Sequence, residues 1–373
     1  MRIGISARGL SIPVGGVRTA LERIIPRLIR MDSRNRYVVF HNSPEHRGSF
    51  VGADEVFFQA PTAFLWENAA LPLRLRGQKL DALFCAKNLV PWFTPRGLRT
   101  VIMVYDLVYF PIGGRYLDEY PALDVAYMRR FLPGSVRRAD RIIAISANTA
   151  KDVKDLFAPD PAKVSVAYLG VDVPPPAAFS PEYLGEVRCR HALTRPYIFY
   201  CGTLSPRKNM KRVLEAFAGM RTEIPHDFVV TAGKSWNDRE VHDAVRRLGL
   251  GDRFRQLGDV PASDMPALYR MADAFVYVSL YEGFGLPVLE AMACGCPVLT
   301  SNTSSIPEVA GDAALMVDPL DATAISAGLR RILGDRSFAD ELRRRGQAQA
   351  AKFTWDETAR NISGVLGTLQ PPA

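Results

Sequence analysis

Glu282 and Glu290 are separated by seven residues in the segment Tyr281-Glu282-Gly283-Phe284-Gly285-Leu286-Pro287-Val288-Leu289-Glu290. Gly283 and Gly285 let the backbone approach a ligand closely. A helix opening here, with Pro287 at its first helical position, leaves unpaired N–H groups that suit phosphate oxygens or sugar hydroxyls. A carboxylate at position 290 can accept two vicinal hydroxyls, the pair that a ribose presents. The plain alternative is a tight strand-to-helix turn with Glu290 stabilising the helix start. Arg207 and Lys208 stand in a second such turn, Gly202-Thr203-Leu204-Ser205-Pro206-Arg207-Lys208-Asn209. Two adjacent cations can clamp a diphosphate, and they stabilise it most as it departs and gathers charge. Taken alone they also read as a solvated basic turn.

Two weaker candidates lie earlier. Gly15 and Gly16, in Val14-Gly15-Gly16-Val17-Arg18, allow backbone to approach a phosphate and also fit an ordinary turn. Tyr105 and Asp106 end an apolar run, a position suited to catalysis, to binding hydroxyls or to capping a turn.

Other chemistries find little support. Gly233-Lys234-Ser235 resembles the tail of a phosphate-binding loop, but the glycine needed five residues earlier is Phe228. No G-x-G-x-x-G follows the first strand of either half, which speaks against a nicotinamide or flavin dehydrogenase. The chain has no Asp-x-Asp carboxylate cradle for a metal, and His41, His46, His191, His226 and His242 lack ligand spacing. Five cysteines without paired spacing suit a reducing compartment.

The elements that would position these residues alternate in type. Strands are predicted at 2–6, 37–41, 55–59, 82–85, 100–105, 141–145 and 163–168, with helices at 17–31, 117–138 and 146–157. After the proline-rich run 171–177, strands are predicted at 197–202, 228–232, 254–257, 274–279 and 297–301. Helices are predicted at 210–220, 239–248, 264–271, 286–294 and from 322 onward. Near-continuous apolar strands between helices imply α/β domains with parallel sheets covered on both faces. Such sheets bind ligands at the carboxyl ends of their strands, where all the candidate residues fall.

Together these loops resemble the GT-B glycosyltransferases, specifically the large retaining family numbered four. Glu282 and Glu290 match its glutamate pair. Ala291–Val298, Ser305-Ile306-Pro307-Glu308-Val309, Gly202–Asn209 and Gly170-Val171-Asp172 match its neighbouring segments. The resemblance implies two Rossmann-like, doubly wound domains facing across a cleft. They are an acceptor domain at 1–172, a donor domain at 173–355, and a terminal helix at 356–373 returning to the first. It implies that Glu290 binds ribose, that Arg207 and Lys208 bind the diphosphate, and that Gly15 and Gly16 approach that diphosphate from the other domain. Glu282, with the N–H groups of Phe284, Gly285 and Leu286, would hold the donor sugar, and backbone near Val260 would read the base. It further implies retention at the anomeric carbon without a metal or other cofactor. Many relatives carry histidine where this chain has Tyr105. A phenol does not titrate near neutrality, so Asp106 is the better catalytic candidate there.

The net charge of +8 is reached by residue 180, so residues 181–373 sum to zero. A basic first half suits an anionic partner such as a lipid-diphosphate-linked acceptor or an anionic membrane face; no nucleic-acid signature is present. The run from Phe64 to Lys79 mixes aromatic, leucine and basic residues. It fits a lipid headgroup layer, or else a helix whose leucines face the core. No apolar run is long enough to cross a bilayer and the start has no signal-peptide layout, so a cytoplasmic protein, peripheral at the inner membrane, is expected. The reading is hexose transfer, mannose from GDP-mannose first, to a glycan or lipid-linked acceptor in surface-polysaccharide assembly. UDP-glucose or UDP-N-acetylglucosamine is the near rival donor, and a catalytically silent nucleotide-sugar binder is the alternative of another class.

Overall fold

The computed structural model describes residues 1–13, 15–110, 120–231, 238–258 and 260–369. The chain divides into two compact units, one of Met1–Gly170 with Thr354–Ala373 and one of Val171–Phe353.

The first unit is built on a seven-stranded parallel sheet. Its strands are β1 (Arg2–Ser6), β2 (Arg36–His41), β3 (Asp54–Phe57), β4 (Ala82–Cys85), β5 (Arg99–Val104), β6 (Arg141–Ala144) and β7 (Val164–Val166), in the order β3-β2-β1-β4-β5-β6-β7. The order reverses between β1 and β4, whose register pairs Ser6 with Cys85. The centre of the sheet is dry: Ile3, Ile5, Leu83, Phe84, Ile102 and Met103 are fully buried, which is why these strands read as unbroken apolar runs. The helix Gly16–Met31 covers one face through Ala20, Leu21, Ile24, Ile25 and Leu28, an apolar stripe at helical spacing. On its outer side it meets the helix Trp355–Gly367, and Arg27 bonds Asp356 at 2.9 Å.

The second unit carries β8 (Tyr197–Cys201), β9 (Asp227–Thr231), β10 (Phe254–Gln256), β11 (Ala274–Tyr277), β12 (Val298–Ser301) and β13 (Leu315–Val317), in the order β10-β9-β8-β11-β12-β13. Its order reverses between β8 and β11. Fused aromatic packing fills this core, with Phe199, Tyr269 and Phe275 meeting edge to face at ring distances near 5.2 Å.

Several expectations shift in detail. The helix predicted from 117 begins at Ala122, and 117–119 lie outside the described residues. The tail from 322 is three helices, Ala322–Gly334, Arg336–Ala350 and Trp355–Gly367, separated by Asp335 and Thr354, which cap the second and third through their side chains. Strand β13 and the helix Pro181–Arg190 escape the sequence reading; the first is only three half-buried residues, too short to show a period. In the run 64–79, Trp66, Leu71 and Leu75 enter the core, while Phe64, Leu65 and Leu73 remain exposed.

Gly170 is held by close approach. A Cβ there would lie 2.2 Å from the Trp355 amide nitrogen and 2.4 Å from the Thr354 carbonyl carbon, and backbone cannot yield as a side chain can. Gly170→Ala is expected to cost about 1–3 kcal/mol through overpacking, read as a Tm lowered by several degrees. An unchanged Tm would show that this contact relaxes freely.

Candidate functional site

In the second unit, the loops after β8 and β11 meet where the strand order reverses, the position at which open α/β sheets take ligands. After β8 the chain makes a single helical turn, Pro206–Lys208, and Asn209 closes it in the left-handed region with φ of 61°. Asn209 Nδ2 donates to the carbonyls of Val278 and Pro319 at 3.1 and 2.6 Å, anchoring the turn to the loop after β11 and to the segment after β13. Arg207 and Lys208 are thereby turned inward. The solvated-turn alternative does not describe them: their side chains retain only 12% and 9% of their exposure.

Both cations close on Glu282. Lys208 Nζ lies 2.6 Å from Glu282 Oε1, and Arg207 Nη1 lies 3.1 Å from Oε2. Lys208 also donates to the Tyr277 hydroxyl at 2.5 Å and sits over the Tyr277 ring. Arg207 Nη1 donates to the Tyr281 carbonyl at 2.6 Å. Burial alone would push the Glu282 carboxyl up; the charges of Lys208 and Arg207 overcome this and pull it down to about 2.

The Glu282 backbone is clamped as tightly as its side chain. Ser304 Oγ accepts from the Glu282 amide at 3.0 Å and donates to its carbonyl at 2.6 Å. Ser304 does so from a φ of 59°, an uncommon conformation for a residue with a side chain. Ser305 Oγ lies within 3.0 Å of the carbonyls of Glu282 and Phe284. Ser305 opens one of the segments matched in the sequence, but nothing there marks Ser304 or the bonds to Glu282. Ser205, within the turn 202–209, and Thr303 have hydroxyl oxygens that are buried without a partner among the described residues.

The helix that follows is Leu286–Ala293, so Pro287 is its second residue rather than its first; at either place its missing N–H costs no intrahelical bond. Gly285 caps it with φ of 110°, and a Cβ there would also strike the Ile306 side chain at 2.7 Å, so only glycine fits. Gly283 and Phe284 are buried beside it. Glu290, in the second turn, accepts from the Tyr269 hydroxyl at 2.9 Å. Burial, with Asp172 adding to it, raises the Glu290 carboxyl, while the Tyr269 bond opposes the rise. Cys201, the last residue of β8, connects the two carboxylate sites. Burial chiefly lifts its thiol to about 11; Glu290 adds to the rise and Lys208 acts against it. Val260 is half-buried beyond the edge strand β10, and its neighbour Asp259 lies outside the described residues.

In the first unit, Gly15 precedes the helix Gly16–Met31 after β1, and Val14 is outside the described residues. Tyr105 follows β5, is buried, and has a hydroxyl without a partner among the described residues. Burial pushes its phenol further from neutrality, away from any acid–base use. Asp106 accepts from the Val108 amide at 3.4 Å, the turn-capping geometry.

The Glu282 carboxyl bears on stability in acid. Its ordinary value is 4.5 and its folded value about 2, so the native state gains from its ionisation above pH 4.5 and loses that gain as pH falls toward 2. On the order of 3 kcal/mol is involved. Glu282→Gln is expected to be less stable at pH 7, with the gap to wild type narrowing between pH 4.5 and 2 in urea unfolding; curves that stay parallel would contradict the ion cluster.

Comparison with known proteins gives this geometry a lineage. Residues 14–174 match the model described as Glycosyltransferase Family 4, and residues 188–352 match Glycosyl transferases group 1. An O-antigen chain mannosyltransferase B of Escherichia coli is 36% identical over 260 residues, covering 69% of this chain and 67% of that protein. The serotype-specific mannosyltransferase WbdA of Escherichia coli is 32% identical over 289 residues, 75% of this chain but 34% of its own length. Among solved structures, sucrose-phosphate synthase from Thermosynechococcus elongatus superposes with a TM-score of 0.78 at 18% identity, over 99% of this chain and 98% of that one. WaaG, a glycosyltransferase involved in lipopolysaccharide biosynthesis, superposes at 0.73 with 15% identity, over 99% and 100% of the two chains. With two doubly wound units and a glutamate pair placed as described, the chain belongs to the GT-B glycosyltransferases of family four and is similar to their mannosyltransferases.

Proposed function

We propose that this glycosyltransferase moves a hexose, with retention, from a nucleoside-diphosphate sugar to a glycan or lipid-linked acceptor in surface-polysaccharide assembly. GDP-mannose is the proposed donor. The relatives named for O-antigen chain and serotype-specific mannosyl transfer support this choice of sugar and setting.

One observation carries the reading: two inward-turned cations are fixed by a buried carboxylate where the sheet of the second unit reverses its order. Arg207 and Lys208 together outweigh Glu282 by one positive charge. A diphosphate arriving there meets cations whose positions are already set, so little reorganisation is needed as the bond to the anomeric carbon breaks. The two cations stand in for a metal, and none is proposed. Glu290, oriented by Tyr269, takes the ribose hydroxyls. Glu282 with the backbone of Phe284, Gly285 and Leu286 holds the sugar. Gly15 and Gly16 in the first unit suit a phosphate and Asp106 suits hydroxyls, and backbone at Val260 meets the base. The acceptor hydroxyl attacks on the face that the diphosphate leaves, and the departing phosphate takes its proton, since Tyr105 has no titration near neutrality. The exposed Phe64, Leu65 and Leu73 with the basic first half suit peripheral contact with an anionic membrane face. Among the described residues no helix is long and apolar enough to cross a membrane.

A thermal-shift panel of GDP, UDP and ADP sugars tests the donor. A ligand at 100 times its dissociation constant adds about 2.7 kcal/mol of stability, and GDP-mannose is expected to give the largest shift. A larger shift with UDP sugars would reassign the donor. The chain is expected to release GDP slowly from GDP-mannose without acceptor, and Glu282→Ala to abolish that release. Stabilisation without any turnover would point to a silent binder.

A further inference from the structure

The first unit has its own reversal of strand order, between β1 and β4, and charged residues flank it. Arg8 stands two residues beyond the end of β1, Lys87 two beyond β4 and Asp106 two beyond β5, three adjacent parallel strands ending on one edge. Arg8 is already engaged. Its Nε donates to Glu67 Oε1 at 2.7 Å, and Glu67 Oε2 accepts from the Tyr127 hydroxyl at 2.8 Å, so both oxygens of that buried carboxylate are taken. Asp106 is bonded within its own turn. Lys87 is different: it is partly buried, and among the described residues its ammonium has neither an ion pair nor a hydrogen bond. The helix Gly16–Met31, which follows β1, has no acidic residue in its first turn and no side-chain cap.

We propose that the reversal between β1 and β4 binds a phosphate ester of the acceptor, with Lys87 as its counter-ion and Arg8 as the second cation. The assignment to the acceptor rests on the transferase reading above, in which the donor diphosphate takes Arg207 and Lys208. The anion could belong to a diphosphate-linked lipid or to a phosphorylated sugar; the chemistry recognised is the same.

The charge state of Lys87 supports the site. Burial, with Arg8 acting in the same direction, pulls its ammonium down from 10.5 to about 8, against Glu67, Asp124 and Asp106, which favour protonation. A bound anion would restore the proton, so anion binding should weaken as pH rises through about 8.

Calorimetry with inorganic phosphate, on the full chain saturated with GDP so that the donor site is filled, tests this. Wild type and Lys87→Arg are expected to bind, and Lys87→Met to bind at least tenfold more weakly while keeping its affinity for GDP. Sulfate, whose charge is constant over the range, should lose about tenfold in affinity per pH unit above 8 with wild type and stay flat with Lys87→Arg. Tighter binding of pyrophosphate than of phosphate supports a diphosphate-linked acceptor; equal or weaker binding supports a phosphomonoester. Phosphate affinity unchanged in Lys87→Met overturns the site. Weakened GDP binding in Lys87→Met overturns its assignment to the acceptor. A wild type that binds no nucleoside diphosphate overturns the transferase reading and the acceptor assignment with it, while the phosphate titration without GDP still decides whether Lys87 holds an anion.

Discussion

A carboxylate shut away from water is tolerated only where cations close around it, and Glu282 has two. Bringing three charges out of solvent is costly, and little of that cost is regained as net stability. What the cluster yields is placement. Lys208 cannot leave Glu282 without exposing a bare charge to apolar surroundings, and Arg207 cannot swing outward without giving up the Tyr281 carbonyl as well. The loop after β8 is therefore locked to the loop after β11 by electrostatics and by the Val278 carbonyl that Asn209 bonds, and the hydroxyl of Ser304 ties the loop after β12 to Glu282. A site that must receive a multiply charged ligand is rigid before the ligand arrives.

The same construction is used twice in the chain with different pairing. Each unit is a parallel sheet whose strand order reverses at its middle, and each sets an arginine, a lysine and a glutamate at that reversal. In the second unit the lysine and the arginine both reach the glutamate. In the first, the arginine and a tyrosine satisfy it and the lysine is left over. A common scaffold thus carries two clusters of the same net charge, one with both cations on the carboxylate and one whose lysine stands apart from it.

Much of this was legible in the residues. The strands announce themselves because both sheet faces are covered, so β4, β5 and β11 are near-continuous apolar runs. Arg207, Lys208, Glu282 and Glu290 stood out because a helix start and paired glycines surround them. That Glu282 binds the cations was not legible, since contacts between residues some seventy positions apart depend on which strands become neighbours. Ser304 was invisible for a related reason: its importance lies in a backbone conformation and two bonds to a distant loop. Lys87 follows a short strand with no glycine or proline beside it, so only the strand order reveals that it shares an edge with Arg8. The run 64–79 misled in part, because its leucines divide between core and surface in a short, irregular helical stretch.

The helix Trp355–Gly367 completes the first unit although the entire second unit precedes it in the chain, with Gly170 pressed against Thr354 and Trp355 where the two pieces join. On the ribosome, the first unit emerges early but stays without the helix that covers Gly16–Met31 until the second has been synthesised. Its apolar flank is then open for as long as it takes to make some 180 residues, about ten to forty seconds at ordinary elongation rates. Nascent-chain chaperones would have their longest hold on this protein there.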